Sequence, residues 1–434
     1  MNIEDLRSSV TEEIWKKLES VANKFVTEAM RFELVDQYGQ ERYFHLDFSE
    51  FRNTNQDIYS HFHKQKTGLS PEDIIYPYFQ AGVYLAVDRD WKQYEKLRSM
   101  SSLQRDPFYF HKDAPHDALV NMKIMESMAE AQQRHAFIVP IWNFTNFTEG
   151  LIEFEENLQK LLPPEIQLIL TEESAKREHA ALIGTIYEQH MRLTEVKEFF
   201  SYPSVMLSCV GTNFFAFQKA CSSLRIVCDL FRISGYLFPG QLSSDVDGLK
   251  IYTAAMVSPG SVGTCFDWED EKRGIKERRP DGNLFQSHGH RRVSKMFIDT
   301  RNYGGFLQVF KEWSPWIQKA VDDPFDKKVL HTLIPILHLL SEVTQAQSVG
   351  SKILLLNCCL ESMFVPNGAP GQQKYIVGAL KVINEDLVDW FEKRLYKQRC
   401  VFAHEGYLVA DEKSRGLVTE SMRNILTCLK MKLG

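Results

Sequence analysis

The chain has no stretch approaching the roughly 20 apolar residues that a bilayer-spanning helix needs. Its first segment, MNIEDLRSSVTEEIWKK, carries acidic residues early and no apolar run, so a secretory leader is not expected. Cysteine is sparse and unpatterned: eight residues, Cys209, Cys221, Cys228, Cys265, Cys358, Cys359, Cys400 and Cys428, with no CxxC pair. Free thiols packed on apolar helical faces, in a reducing cytoplasmic compartment, are the expectation. Basic charge is not in excess, with 51 Lys and Arg against 57 Asp and Glu and a net charge of -6. That balance excludes a general nucleic-acid coat and leaves any nucleic-acid contact to a local basic patch. GxxxxGK[ST] and GxGxxG are missing near the strand-like segments, and GxSxG is absent, which removes the usual nucleotide loops and the hydrolase nucleophile elbow.

What is present is an ordinary globular composition, 44% hydrophobic and 25% charged over 434 residues, enough for two or three domains at about 150 residues each. Ile3, Leu6, Val10, Ile14, Leu18, Val21 and Phe25 recur at spacings of three and four and predict one long amphipathic helix over 2–32. ELVDQYGQERYFHLDF reads as a hairpin around Gly39. Over 120–175 the segments MESMAEAQQ, AFIVPIW, EGLIEFEENLQKLL and IQLILT alternate helix, strand, helix and strand, which predicts a βαβ unit with a parallel strand pair. Helices are expected over 172–200 and 212–235, and LKIYTAAMVSPGSVG reads as a strand followed by a Pro-Gly turn, with GSVGT as turn chemistry.

Residues 271–301 collect basic residues among Pro280, Gly282 and Gly289 and read as a mobile loop. Arg278, Arg279, Arg291 and Arg292 are its candidates for contacting RNA phosphates, because clustered cations release counterions on binding; a solvated linker is the plainer alternative. From 326 onward five helix candidates follow one another, separated at Gly350, at Pro366 to Gly371, at Asn384–Glu385 and at Glu405–Gly406. Connections this short pack neighbouring helices antiparallel in a bundle. The expected fold class is α+β and predominantly α-helical: a mixed region over 1–245 with a sensing or regulatory role, a connecting segment over 246–325 with a short strand and the basic loop, and a helical bundle over 326–434.

The densest chemical signal is LYKQRCVFAHEG, residues 395–406, where Arg399 and His404 close an amphipathic helix whose stripe is Leu387, Phe391, Leu395 and Phe402. Five helical residues separate the two by about 7.5 Å along the axis and about 140° around it. They can border one cleft without sharing a strict face, more easily when a second copy closes over it. A histidine titrating near neutrality can take the proton of a ribose 2′-hydroxyl or return one to the leaving 5′-oxygen. A guanidinium can grip the phosphate and stabilise developing charge. The nucleophile belongs to the substrate, so neither metal nor cofactor is expected. The HFH pair His61 and His63 and the HGH pair His288 and His290 would share a face in a strand, but no cysteine or carboxylate pattern completes a metal site, and surface or satisfied histidines are the expectation.

An Arg-x4-His motif late in a helix, preceded by the aliphatic–Tyr pair Leu395–Tyr396 and followed by Gly406, resembles the HEPN superfamily. The preceding KILLLNCCLESMF is similar to the Leu-rich helix with a central Glu of its ApeA-like branch, which makes Glu361 a candidate supporting acid. The resemblance covers about residues 326–432. It implies a helical bundle that dimerises or forms a higher oligomer, with two Arg–His pairs in a shared cleft. It also implies metal-independent endoribonuclease activity, in toxin–antitoxin, CRISPR-linked or antiphage settings, with RNA as substrate and a regulatory or antitoxin protein as a possible partner. Active HEPN motifs usually carry Asn, Asp or His directly after the arginine, where this chain has Cys400. That departure favours an alternative, a catalytically silent HEPN-like module for RNA binding or assembly. A third reading gives the N-terminal region an unrelated activity and leaves dimerisation to the bundle.

Overall fold

The computed structural model describes residues 3–31, 46, 48–88, 116–140, 151–171, 174, 204–238, 253–258, 261–267, 276–278, 303–406, 408 and 411–434. Helices α1 (Ile3–Ser9), α2 (Glu12–Arg31), α3 (Ser49–Thr54), α4 (Gln56–Gln65), α5 (Glu72–Asp88) and α6 (His116–Glu130) come first. Then follow β1 (Arg134–Pro140), α7 (Leu151–Gln159), β2 (Ile166–Ile169), β3 (Ser204–Val210), α8 (Asn213–Leu237), β4 (Thr253–Ser258), β5 (Ser261–Asp267) and β6 (Lys276–Arg278). The chain continues through α9 (Gly304–Asp322), a π-turn at Val329–Leu333 leading into α10 (Ile334–Gln345), α11 (Val349–Phe364) and α12 (Gln372–Ile383). It ends with α13 (Glu385–Trp390), a second π-turn at Phe391–Leu395, α14 (Tyr396–Glu405) and α15 (Glu412–Leu433). The fold is thus predominantly helical with a smaller β component. It divides into two compact units, Met1–His135 with Cys209–Gln218, and Ala136–Ser208 with Lys219–Gly434.

In the first unit the single helix expected over 2–32 is two helices. Thr11 turns its hydroxyl to the amide of Ile14 at 3.3 Å, a fresh N-cap that restarts the helix after Val10. The apolar stripe survives the break, with Leu6, Val10, Leu18 and Phe25 buried, and Trp15 Nε1 donates to the Tyr78 hydroxyl of α5 at 2.9 Å. The HFH pair lies on helix α4 and not on a strand, so His61 and His63 point about 200° apart. His61 Nε2 lies 3.0 Å from the Ser9 carbonyl oxygen, while buried His63 stacks on Phe215 and meets Gln218 Oε1 at 3.0 Å. The hairpin expected around Gly39 and the helix expected over 172–200 fall outside the described residues, Ser174 excepted.

Two adjacent buried carboxyls organise this unit. Glu72 is held by Arg52 Nη2 at 2.9 Å and by donors from the Tyr59 hydroxyl and Gln218 Nε2. Asp73 Oδ2 accepts from the Ser70 amide and hydroxyl before α5 and from the Thr212 hydroxyl before α8, at 2.7, 3.1 and 2.6 Å. Two helix N-termini therefore converge on one carboxyl. Burial nevertheless outweighs these donors and raises Asp73 to about 7.

In the second unit the sheet runs β2-β3-β1-β4-β5-β6. The parallel pair expected of the strands in AFIVPIW and IQLILT is not formed. β3 lies between them, and β2 pairs with it antiparallel, Ile166 opposite Leu207. β3 is an almost unbroken buried run, the property that suits an interior strand. GSVGT is not a turn, since Ser261 to Thr264 lie in β5, paired antiparallel with β4. The segment expected to connect over 246–325 holds these strands and the 19-residue α9, whose Phe306, Phe310, Trp313 and Ile317 are buried. Phe306 meets Phe154, Phe231 and Phe310 at centroid distances of 5.3, 5.6 and 5.5 Å. The run from 326 forms the five expected helical stretches, and their breaks fall at Pro366 to Gly371, Asn384 and Gly406 as expected. Gly350 is not a break but lies inside α11.

A carboxyl with a raised folded-state pKa keeps its proton after the unfolded chain has released it. The contribution of Asp73 to stability is therefore full below about pH 4 and declines as pH rises toward 7. Asp73→Asn retains an acceptor but cannot ionise. Thermal melts across this range should show the wild type losing more stability with rising pH than the variant; parallel curves would contradict the assignment.

Candidate active site

Helix α14 begins where the second π-turn ends and stops at Gly406, whose positive φ of 75° and amide bond to the Phe402 carbonyl at 2.8 Å form a left-handed C-cap. Upstream, Leu387, Phe391 and Leu395 are buried, but α14 itself buries no residue fully. Its seat is α11. Phe402 lies against Gly350, where an added Cβ would overlap the ring, so only glycine permits this approach.

One turn nearer the start of α14, Arg399 Nη2 stands 3.6 Å from Glu361 Oε1 on α11, an ion pair too long for a hydrogen bond. The guanidinium carbon lies 5.6 Å from the Tyr396 ring centroid. With side chains 31% and 25% exposed, the pair is worth at most about 1 kcal/mol. Glu361 and Tyr396 line a half-open cleft of about 340 Å³ with Asn357, Ile376 and the first turn of α12, including Lys374. Asn357 is buried and donates Nδ2 to the Ile353 carbonyl at 2.8 Å. Burial and the Glu361 carboxylate raise the Cys358 thiol, against the opposing pull of Arg399.

His404 occupies the last turn of α14, exposed, and has no hydrogen bond or ion pair among the described residues. It does not line the cleft. Within one chain, then, Arg399 and Glu361 come together and His404 stands apart on the exposed end of the same helix. A cation near the last carbonyls of a helix is favourable by itself, by about 0.3–1 kcal/mol. Cys400 is half-buried beside Arg399.

No family model, no curated protein and no solved structure matches the chain.

The basic candidates fare differently from one another. Arg278 closes the short strand β6, opposite Cys265 of β5, instead of lying in a loop. Arg279, Arg291 and Arg292 lie outside the described residues, as do His288 and His290. No group of three or more potential metal ligands occurs among the described residues. Tyr396 is legible in the sequence only as part of a motif, and Asn357 belongs to no motif. A lone Asn in the apolar run LLLNCCL was the available signal for a polar group at the edge of a cleft.

Gly350→Ala should push the Phe402 ring off α11 and destabilise the protein by about 1–3 kcal/mol. Gly378→Ala, in mid-α12 with nothing within 4 Å of the added Cβ, should stabilise it by about 0.5–1 kcal/mol. Denaturant melts that rank the two variants the other way would overturn the packing described here.

Proposed function

We propose that the C-terminal helices form a HEPN-type, metal-independent endoribonuclease with Arg399 and His404 as its catalytic groups and Glu361 as the acid that orients Arg399. The supporting observation is that α14, which carries both groups, buries no residue fully while the helical stretches beside it are well packed. A second copy laid against this helix completes a cleft in which the arginine of one pair and the histidine of another serve one phosphodiester. In the reaction His404 takes the proton of a 2′-hydroxyl, O2′ attacks phosphorus, and as the P–O5′ bond breaks the protonated imidazole returns that proton to O5′. Arg399 carries the charge that develops on the phosphoryl oxygens. The products are a 2′,3′-cyclic phosphate and a 5′-hydroxyl. A cytoplasmic toxin or antiphage effector, with the N-terminal region as sensor or partner-binding part, follows by family analogy alone.

A second reading is favoured by a specific pair of observations. Glu361 offsets the Arg399 charge, and Cys400 offers only a weak hydrogen-bonding group where an amide, carboxylate or imidazole is expected. On this reading the module binds RNA or assembles and does not cut.

Full-length wild type, Arg399→Ala and His404→Ala, incubated with single-stranded and structured RNA in EDTA, separate the two. Wild type should cut and leave cyclic phosphate ends, with each variant slower by at least about a hundredfold. Equal cutting by all three moves the activity elsewhere, and no cutting by wild type favours the silent module. A solution mass of one chain would remove the composite cleft.

A further inference from the structure

The second unit carries a cationic feature distinct from the Arg–His helix. Lys352 in the first turn of α11 places Nζ 4.5 Å from the ring centroid of Tyr236, at the end of α8, and 3.3 Å from its hydroxyl. Arg423 on α15 sets its guanidinium carbon 5.7 Å from the ring of Phe238, the next residue but one. Arg415, two turns earlier on α15, acts electrostatically on both Lys352 and the Tyr236 hydroxyl. Burial and then Arg415 lower the Lys352 ammonium below its ordinary value.

None of these three cations has a carboxylate partner among the described residues. Other basic residues of the same helical region do: Arg394 pairs with Glu420, Arg399 with Glu361 and Lys430 with Glu312. Lys352 and Arg415 repel one another in the free protein, and an anion seated beside them relieves that repulsion. Arg415 and Arg423 lie about 12 Å apart along α15. That spacing suits a linear polyanion better than a single small one. The patch and α14 meet the same end of α11, since Gly350, two residues before Lys352, carries Phe402.

We propose that Lys352, Arg415 and Arg423, with Lys352 and Arg423 held over the rings of Tyr236 and Phe238, dock the phosphodiester backbone of single-stranded RNA. The ligand class rests on the ribonuclease reading; the cluster of unpartnered cations does not. The contact is to backbone charge and carries no base specificity.

The test is binding of a labelled single-stranded RNA to the full-length His404→Ala chain, followed by anisotropy through a salt series. Adding Arg415→Ala and Arg423→Ala should weaken binding at low salt by at least about tenfold. It should also flatten the salt dependence by about 1.4, at roughly 0.7 for each phosphate that is no longer neutralised. Arg415→Lys with Arg423→Lys should keep the parent slope, because the site reads charge. An unchanged slope in the alanine variant, with its thermal melt intact, overturns the proposal. So does a parent that binds no RNA, or one that prefers phosphatidylserine vesicles. A wild type that binds RNA through this patch but never cuts it would sink the ribonuclease reading and leave the docking site standing.

Discussion

Burial of one side of α11 governs where the charged groups of the second unit stand. Ile353, Leu356, Asn357, Cys359, Leu360 and Met363 pack inward, and that packing leaves Lys352 and Glu361 at the margins of the helix. Lys352 emerges beside the end of α8, and Glu361 emerges beside α14. The cleft and the cationic patch are thus two edges of one buried stripe. A change that rotates or loosens α11 disturbs both together, whereas substitutions at either edge act on one alone.

Within a single chain the two groups best suited to RNA chemistry sit in unlike surroundings. Arg399 is tethered by an ion pair and an aromatic face, while His404 is exposed at a helix end. A tethered guanidinium is already oriented for a phosphate, at the cost of competing with Glu361 for it. An exposed imidazole owes its positioning to whatever arrives next. The chemistry proposed for this helix is therefore only half preorganised in the isolated chain, and a second copy would supply the other half.

Much of the helical architecture was legible from spacing. The stretches after 326 have strong periodicity and clear stops, of which Gly406 and Asn384 act by ordinary capping geometry. Helix α9 was equally periodic at Phe306, Phe310, Trp313 and Ile317, but it follows a basic, Gly- and Pro-containing run and contains Pro315, so it read as connection. Strands β1, β2 and β4 were readable, but β3, β5 and β6 were not, and neither were the strand partners. β3, distant in sequence, takes the place between β1 and β2 because its apolar run suits an interior strand. At the site, Arg399 and Glu361 were each legible in a local motif, and the two helices that carry them bring the pair to 3.6 Å. Asn357 and the patch around Lys352 were hidden because they depend on which edges of separate helices end up side by side, a property no local pattern records.

The π-turn at Phe391–Leu395 sits between the buried stripe of Leu387 and the exposed face of α14. A wide turn of this kind accommodates one residue more than a regular turn does. Losing a residue elsewhere in the helix would swing everything beyond it by about 100°. Losing one here would let the backbone relax into an ordinary turn with the guanidinium still aimed at its carboxylate. The helix thus contains a built-in tolerance for the loss of one residue immediately upstream of Arg399, where a deletion need not re-aim the guanidinium.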